Sequence, residues 1–240
     1  MESLLEKVID AHGGMKRWQE LQKVKVIIRA GGKLMDLVQV TQKTDPREMT
    51  VFLHEQHSQV KPYGAPDRFT DFTPTRIAIK TDGGEVIEER TGTPEEIHLH
   101  ETRGTWDPLD AANFNGYAMW NYMTVPFCLT MPGITLTEIA PWQETEHESW
   151  QGLRVTFPPE MAVHSAVQDY YFGDDFLLRR LDYHTDYAGD QFYAHYVYDM
   201  TEVSGIIMPT KRRAYIRGED GRPVIEDLMI WIDMNDIRYS

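Results

Sequence analysis

The last third of the chain repeats one pattern, in which short runs of alternating apolar and polar residues are separated by turn signals. The runs cover residues 154–157, 164–172, 176–184, 192–200, 207–216 and 224–233. Because successive side chains of a strand point to opposite faces of a sheet, this alternation predicts strands. The turn signals at 173–175, 189–190, 204–205 and 218–223 leave no room for a helix between strands. The pattern therefore predicts an antiparallel meander.

The first half of the chain predicts two short helices followed by more strands. Ser3 and Glu6 have the spacing of a capping box, and residues 15–21 form a second helical pattern after Gly13 and Gly14. Alternation then predicts strands at 24–29, 34–41, 49–54, 76–80 and 85–89, with tight connections at 31–32 and 82–84. Residues 56–72 and 141–150 are rich in turn-forming or acidic residues and are expected to be irregular.

The segment 106–132 concentrates aromatic residues and methionines in an otherwise hydrophilic chain. Asp107 and Pro108 have the order of an N-cap and a first helical residue, which predicts a helix over 109–123 that ends before Pro126. Aromatic residues at helical spacing are more often plain core than a binding site. As a lid over a cavity, however, this helix would supply ligand-binding residues, with methionines as adaptable fillers. The candidates from this segment are Trp106, Phe114, Tyr117, Trp120 and Tyr122.

A second set of candidates lies in the meander. Period-two alternation places His164, Gln168 and Tyr170 on one strand face, and Arg180 and His195 lie on later strands. On a shared concave face, Gln168 and Tyr170 would contact the ligand, a histidine would act as general base and Arg180 would bind an anion. A three-residue loop at 173–175 would place Gln168 opposite Arg180, whereas other loop lengths shift the register. The alternative is a solvated outer sheet face.

Several other classes of site have little support. Residues 98–100 read His-Leu-His, which on a strand would place two imidazoles on one face, but the motifs of a zinc site are missing, so no metal is expected. No nucleotide-binding loop occurs, so no cofactor is expected. Cys128 lies in an apolar run and is expected to be a buried, unreactive thiol. The basic residues 211–213 are expected to be solvated or paired with carboxylates.

Composition narrows the class of protein. The 240 residues are 41% hydrophobic and can bury the core of one domain, 1–240. The 24 basic and 38 acidic residues give a net charge of −14, which disfavours binding to nucleic acid or to anionic membranes. The acidic start is unlike a secretory signal and no apolar run is long enough for a membrane span. With a single cysteine, the chain is expected to be cytoplasmic and not inserted in a membrane.

Some of these residues carry a resemblance to a known family. The AHGG motif at 11–14 with Trp18, the long antiparallel sheet, and VSGIIMPTKRR at 203–213 resemble proteins of the lipoprotein-carrier (LolA-like) fold. The segments GYAMWNYMTVPF, HSAVQDYYF and RRLDY are also similar to those of a group of soluble, uncharacterised bacterial proteins. The resemblance implies an α+β fold with a large curved antiparallel sheet, an unclosed β-barrel whose concave face is covered by the N-terminal helices and the middle aromatic helix. It also implies a cavity for acyl chains or other apolar ligands.

Three functions are consistent with these observations. The first is a soluble binding protein for a hydrophobic small molecule, lipid-like or polyketide-like, held in the cavity of the sheet. The second is a cofactor-independent enzyme that performs proton transfer, hydration or cyclisation on such a ligand, with His164 or His195 as base and Arg180 as electrostatic stabiliser. The third is a structural or interaction protein without a cavity. Exposed edges of an open sheet are compatible with a monomer or a homodimer.

Overall fold

The computed structural model describes residues 2–41, 45–187 and 189–240. The helices are α1 (Leu4–Ala11), α2 (Met15–Gln19), α3 (Lys33–Leu37), α4 (Pro94–Glu101) and α5 (Pro108–Thr124), and a 3-10 turn follows at Phe127–Thr130. The strands are β1 (Lys23–Gly31), β2 (Arg47–Phe52), β3 (His57–Lys61), β4 (Arg68–Thr73), β5 (Arg76–Thr81), β6 (Val86–Thr91), β7 (Thr135–Thr145), β8 (Glu148–Thr156), β9 (Val167–Phe172), β10 (Leu178–Thr185), β11 (Gln191–Val203), β12 (Ile206–Arg217) and β13 (Pro223–Tyr239).

All of these strands belong to one antiparallel sheet in the order β6-β5-β4-β3-β2-β1-β13-β12-β11-β10-β9-β8-β7. Strands that follow one another in sequence pair directly, except β6 and β7, which lie at the two ends of the sheet. The pairing of β1 with β13 joins the two halves of the sheet. In the described sheet β6 and β7 are the end strands, so the sheet does not close on itself. The predicted α+β fold with a large unclosed antiparallel sheet is confirmed.

Helix α5 covers one face of this sheet, which we call the inner face, and it contacts strands from β2 to β6. The capping signals predicted its start correctly, because the Asp107 side chain accepts hydrogen bonds from the backbone N–H of Leu109 and Asp110. Nearly the whole helix is buried, in contrast to the one-sided burial of an ordinary surface helix. Its aromatic side chains therefore reach interior surfaces on several sides of the helix axis.

The N-terminal helices also follow their local signals. Ser3 and Glu6 form the predicted capping box of α1. Gly13 ends this helix with φ of 119°, and a Cβ atom there would lie 2.0 Å from the carbonyl oxygen of Gly205. The backbone N–H of Ile207 donates to the His12 carbonyl oxygen at 3.0 Å. The AHGG motif thus packs directly against the turn between β11 and β12, where only glycine leaves enough space.

Two strand predictions are wrong in the N-terminal half. Residues 34–41 do not form a strand, because the chain makes the single helical turn of α3, which buries Leu34 and, at its C-cap four residues on, Val38. Residues 98–100 lie on α4 rather than on a strand, so His98 and His100 point in different directions.

Two segments predicted to be irregular are strands. Within 56–72, Ser58 and Val60 point to the inner face from β3 and Phe72 does so from β4, and the turn-forming residues occupy only the connection between these strands. Within 141–150, Trp142 of β7 pairs with Trp150 of β8. Pro141 is tolerated there because β7 is an end strand, where a missing N–H donor costs little.

Candidate ligand-binding site

An apolar cavity of about 370 Å³ lies between α5 and the inner face near β1 and β13. Its lining includes the aromatic residues Trp106, Phe114 and Tyr122. Other apolar residues that line it include Met35, Ala118, Met119, Ile230 and Ile232. Trp106 and Phe114 contact each other with ring centroids 5.0 Å apart. This volume and lining are typical of a site for a small hydrophobic molecule. The methionines can adapt to the shape of such a ligand, since their side chains are unbranched.

One end of the apolar cavity carries charge. Arg47 and Tyr63 line it there, next to Asp107. Burial lowers the pKa of Arg47, and its Nε has no hydrogen-bond partner among the described residues. Burial also raises the pKa of Tyr63, whose hydroxyl donates to the Pro108 carbonyl oxygen. This end therefore combines an incompletely paired cation with nearby carboxylates.

A second cavity of about 410 Å³, the histidine cavity, lies on another side of α5 and is lined by His98, His164 and His184 together with Tyr117. It extends to the segment before β9, which contributes Phe157 and several small residues. His164 precedes β9 rather than lying within it, because this strand begins at Val167. The imidazole is nevertheless buried and faces the interior.

Tyr122 and His164 separate the two cavities. The Tyr122 hydroxyl and His164 Nε2 share a hydrogen bond of 2.7 Å. Tyr122 lines the apolar cavity, whereas His164 lines the histidine cavity. His164 Nδ1 lies 3.1 Å from the Tyr187 hydroxyl, and its ring stacks on Tyr183 at 4.4 Å. This aromatic cluster fixes the position of His164 and leaves both of its ring nitrogens occupied.

Both interior histidines that were predicted to act as bases are electrically neutral at neutral pH. Burial lowers the pKa of His164 to about 3, and burial together with nearby Arg212 lowers the pKa of His195 well below its ordinary value. His195 is completely buried, and its ring meets Tyr122 edge-on at 4.9 Å. Neither Nδ1 nor Nε2 of His195 has a partner in the part of the chain that the structure describes.

The predicted common face for Arg180 with His164 and His195 is wrong. Tyr183 rather than Arg180 pairs with Gln168, and Arg180 pairs with Tyr171 after a register shift in β10. Its side chain lies on the outer face, where Asp182 accepts bonds of 2.6 and 2.7 Å from the guanidinium and Trp142 stacks on it at 4.4 Å. A single bulge moved this residue to the other face. Because it is already paired, Arg180 is unsuited to binding an anionic ligand.

Three other candidates line neither of these two cavities. Trp120 is fully buried and its indole N–H donates to the carbonyl oxygens of Phe52 and Glu55. Gln168 and Tyr170 point to the inner face as the alternation predicted, but they hydrogen-bond to each other at 2.9 Å. These side chains hold α5 and β9 in place, and their role in ligand binding stays a prediction.

A buried carboxylate, which the sequence did not indicate, lies beside the histidine cavity. Glu101 is completely buried and lies 3.1 Å from His98, while Asn113 donates to it at 2.8 Å. His98 also lies 2.7 Å from Asp186. Burial opposes the charge of His98, but the bonds and charges of Glu101 and Asp186 outweigh burial and raise its pKa to about 9. His98 is therefore an imidazolium at neutral pH.

This pairing predicts a loss of stability at alkaline pH. Because the folded pKa of His98 is about 9 and the unfolded value is near 6.5, its stabilisation is complete below about pH 6.5 and disappears as the pH rises through 9. We expect the unfolding free energy to fall by about 3 kcal/mol between pH 6.5 and 9.5. Glu101→Gln should flatten this dependence in urea titrations, because the neutral amide no longer holds the proton on His98.

The control variant is Asp190→Asn, which removes the acidic partner of the exposed His184. It should leave the pH dependence nearly unchanged, because exposed pairs contribute little. An equal slope in wild type and Glu101→Gln would contradict the assignment of the buried pair.

Two buried or half-buried arginines, which the sequence patterns did not indicate as candidates, share one recognisable signal. Arg47 and Arg212 occupy the same alternation phase as inward-pointing apolar residues of their strands, namely Met49 for Arg47 and Ala214 for Arg212. The predicted solvation of residues 211–213 holds for Lys211 and Arg213, but Arg212 is buried. A charged residue at a strand position whose neighbours two residues away point into the core thus indicates an inward-pointing charge.

Three further properties concern metals, thiols and membranes. Within the described residues, no group of three or more His, Cys, Asp or Glu side chains is arranged to hold a metal ion. Burial raises the pKa of the Cys128 thiol to about 12, which leaves it unreactive. Among the described helices, none has the length and apolarity needed to span a bilayer.

Comparisons with known proteins place this geometry in a fold. No protein-family model matches the sequence, and no curated protein matches it. A LolA superfamily protein from Nitrosomonas europaea is 12% identical with a TM-score of 0.53, over 98% of this chain and 92% of that chain. A DUF1329 family protein from Desulfovibrio piger is 11% identical with a TM-score of 0.51, over 100% and 94%. A candidate outer membrane lipoprotein-sorting protein domain from Vibrio parahaemolyticus is 6% identical with a TM-score of 0.54, over 98% and 92%.

The fold is LolA-like. The resemblance predicted from the sequence is therefore confirmed at the level of the fold. At such low identities the likeness carries no activity, so the function of this LolA-like chain has to be argued from its own cavities.

Proposed function

We propose that this LolA-like chain binds a hydrophobic small molecule, lipid-like or polyketide-like, in the apolar cavity. The observation that carries the proposal is the partly open space of about 370 Å³ that aromatic, methionine and isoleucine side chains line under α5. Such a space represents apolar surface that the protein leaves without close packing, although interiors are normally filled. A ligand of matching shape would recover those contacts.

The LolA-like fold supports the proposal, since proteins with this architecture include one described as a lipoprotein-sorting domain. In this proposal, the protein works in the cytoplasm as a monomer or homodimer. Its partner is the hydrophobic ligand rather than nucleic acid. The strongly acidic charge of −14 is consistent with that choice of partner.

The alternative of a cofactor-independent enzyme has less support. Its electrostatic stabiliser, Arg180, lies on the outer face and is paired with Asp182. Its candidate base His164 has a pKa of about 3, far below the value at which a general base works well at neutral pH. A binding role needs neither of these groups.

The direct test fills the apolar cavity. Ala118 lines it from α5, so Ala118→Phe should occupy the ligand volume and weaken binding of dodecanol, a neutral apolar probe, at least tenfold. Binding can be followed by tryptophan fluorescence, because Trp106 lines the same cavity. The reason is steric, so the effect should appear in affinity while the unfolding temperature changes little.

The matched control is Ala166→Phe, which introduces the same ring at an exposed residue that lines the histidine cavity. This variant should bind dodecanol like wild type. If Ala166→Phe abolished binding and Ala118→Phe did not, the ligand would occupy the histidine cavity instead. Absence of dodecanol binding by wild type, together with no hydrophobic adduct in native mass spectra of protein from its own host, would refute the proposed function.

A further inference from the structure

Arg212 is a buried cation without a counter-ion in the described structure. It projects from β12 to the inner face and is 1% exposed, whereas its neighbours Lys211 and Arg213 point outward and pair with Asp199 and Asp233. One guanidinium nitrogen donates to the Tyr122 carbonyl oxygen at 2.8 Å. In the described ranges, Nε and Nη1 have no hydrogen-bond partner and no carboxylate lies within ion-pair distance.

This arrangement is unusual because an isolated charge is costly to bury. Burial lowers the pKa of Arg212 to about 10, so the guanidinium keeps its charge at neutral pH. Tyr122 provides partial compensation, since its ring lies 4.4 Å from the guanidinium carbon. Two donor groups nevertheless remain available for an anion.

A second set of unpartnered atoms lies close to the first. His195, completely buried on the neighbouring strand β11, has two ring nitrogens that lack partners among the described residues. Its ring contacts Tyr122, as does the guanidinium of Arg212. The neutral imidazole can donate one hydrogen bond from whichever nitrogen carries the proton. The two side chains together offer charge and donors to one small anionic group.

Tyr122 lies between these atoms and the apolar cavity. Its side chain lines that cavity, and so does Ile232, the residue of β13 directly opposite Arg212 in the sheet. Movement of a single ring would therefore connect the cavity with Arg212 and His195. The ring is held by its hydrogen bond to His164, a neutral interaction that a charge-assisted bond can replace.

We propose that Arg212 and His195 bind the carboxylate of an amphipathic ligand whose apolar chain occupies the apolar cavity, with the ring of Tyr122 displaced. This inference rests on the proposed function and specifies its ligand class as a fatty-acid-like anion. A carboxylate matches the planar guanidinium with two parallel N–H bonds and supplies the single counter-charge that Arg212 lacks. A phosphate dianion would require a second cation, and His195 is neutral.

The other candidate for the anion is Arg47 at the opposite end of the apolar cavity. It provides an internal control, because it lines the cavity and its Nε also lacks a partner among the residues described. However, Arg47 is only half-buried, so water can solvate part of its charge, whereas Arg212 is fully buried. We therefore place the carboxylate at Arg212.

The experiment compares dodecanoate with dodecanol in the wild type, Arg212→Met and Arg47→Met. Wild type should bind dodecanoate on the order of tenfold to a hundredfold more tightly than dodecanol, as expected for charge-assisted hydrogen bonds. Arg212→Met should remove this preference and keep dodecanol binding. Arg47→Met should retain the preference. Loss of the preference in Arg47→Met alone would overturn the assignment in favour of the other end of the cavity.

A second measurement does not depend on the folding of a variant. In wild type bound to dodecanoate, the methylene protons next to the carboxyl should show nuclear Overhauser contacts to the rings of His195 and Tyr122. Contacts to Tyr63 instead would refute the inference. Equal affinity of wild type for dodecanoate and dodecanol would also refute it and leave the proposed function intact, whereas binding of neither probe would refute both.

Discussion

Lowering the pH from 6.5 to 4.5 is expected to remove on the order of 5 kcal/mol from the unfolding free energy of this protein. Three imidazoles are buried in their neutral form. Burial lowers the pKa of His164 to about 3 and of His12 to about 4, and it lowers the pKa of His195 well below its ordinary value. The loss is a large part of the 5–15 kcal/mol that stabilises a typical domain.

The sign follows from the state that takes up protons. Unfolding releases the three histidines into water, where they bind protons below about pH 6.5, whereas the folded state leaves them unprotonated. The stabilisation is therefore present above pH 6.5 and is lost as the pH falls toward the folded values. Each histidine contributes at most about 1.4 kcal/mol per pH unit, a slope that is reached only well below pH 6.5. Urea unfolding at a series of pH values measures the slope directly.

His195→Phe tests the contribution of one imidazole. Since both ring nitrogens of His195 are unpartnered in the described structure, an apolar ring of similar shape loses no hydrogen bond there. The slope of unfolding free energy against pH measures the number of protons taken up on unfolding. This number should fall from about three to about two. The control is His147→Phe at an exposed turn position, which shares any effect of net charge. A slope in His195→Phe equal to that of wild type would show that this imidazole takes up its proton in the folded state.

Gly116→Ala is expected to destabilise the protein by about 3 kcal/mol, although alanine is the better helix former by about 1 kcal/mol. A Cβ atom at this position of α5 would lie 2.4 Å from Cγ and 2.6 Å from Cβ of Phe72. Phe72 is fully buried on β4 and the Ser58 hydroxyl donates to the Gly116 carbonyl oxygen at 3.0 Å, so neither helix nor strand can move freely. Thermal or urea unfolding provides the measurement.

The clash can be identified by a double-mutant cycle. Phe72→Leu removes part of the ring that the new methyl would meet. The loss of stability in the double variant should therefore be about 1 kcal/mol smaller than the sum of the losses in the two single variants. Gly83→Ala is the matched control. Its added carbon would make only an ordinary contact at 3.6 Å in the turn before β6, and its stability should stay within about 0.5 kcal/mol of wild type. Additivity of the two changes would contradict the proposed contact.

The elements with strong local signals were predictable. Ser3 with Glu6 and Asp107 with Pro108 fix the starts of α1 and α5, because capping depends only on residues a few positions apart. The strand alternation after residue 154 likewise predicted β9 to β12 to within about three residues, whereas β13 continues past the predicted end at 233 to Tyr239. The failures at α3, α4, β3 and β7 are short or end elements, in which local composition was ambiguous and packing decided.

The candidate site was only partly predictable. Three of the predicted aromatic residues do line the apolar cavity, namely Trp106, Phe114 and Tyr122. Tyr117 instead lines the histidine cavity, and Trp120 lines neither cavity, because the side chains of α5 point to several sides of the helix. Helical spacing identifies a face only when the opposite face is polar, and α5 is buried nearly all round. Its role as cover for a cavity depends on the sheet it packs against.

The sequence by itself determined that this chain forms a large antiparallel sheet with capped helices and an acidic surface, because caps, turns and alternation act over a few residues. Only the tertiary structure decided which polar residues share the interior. One register shift in β10 sends Arg180 to the outer face and into a pair with Asp182, while strict alternation in β12 buries Arg212 beside His195. The register of each strand pair depends on the turns and bulges that precede it along the chain. Which distant side chains meet is therefore decided only when the whole sheet is assembled.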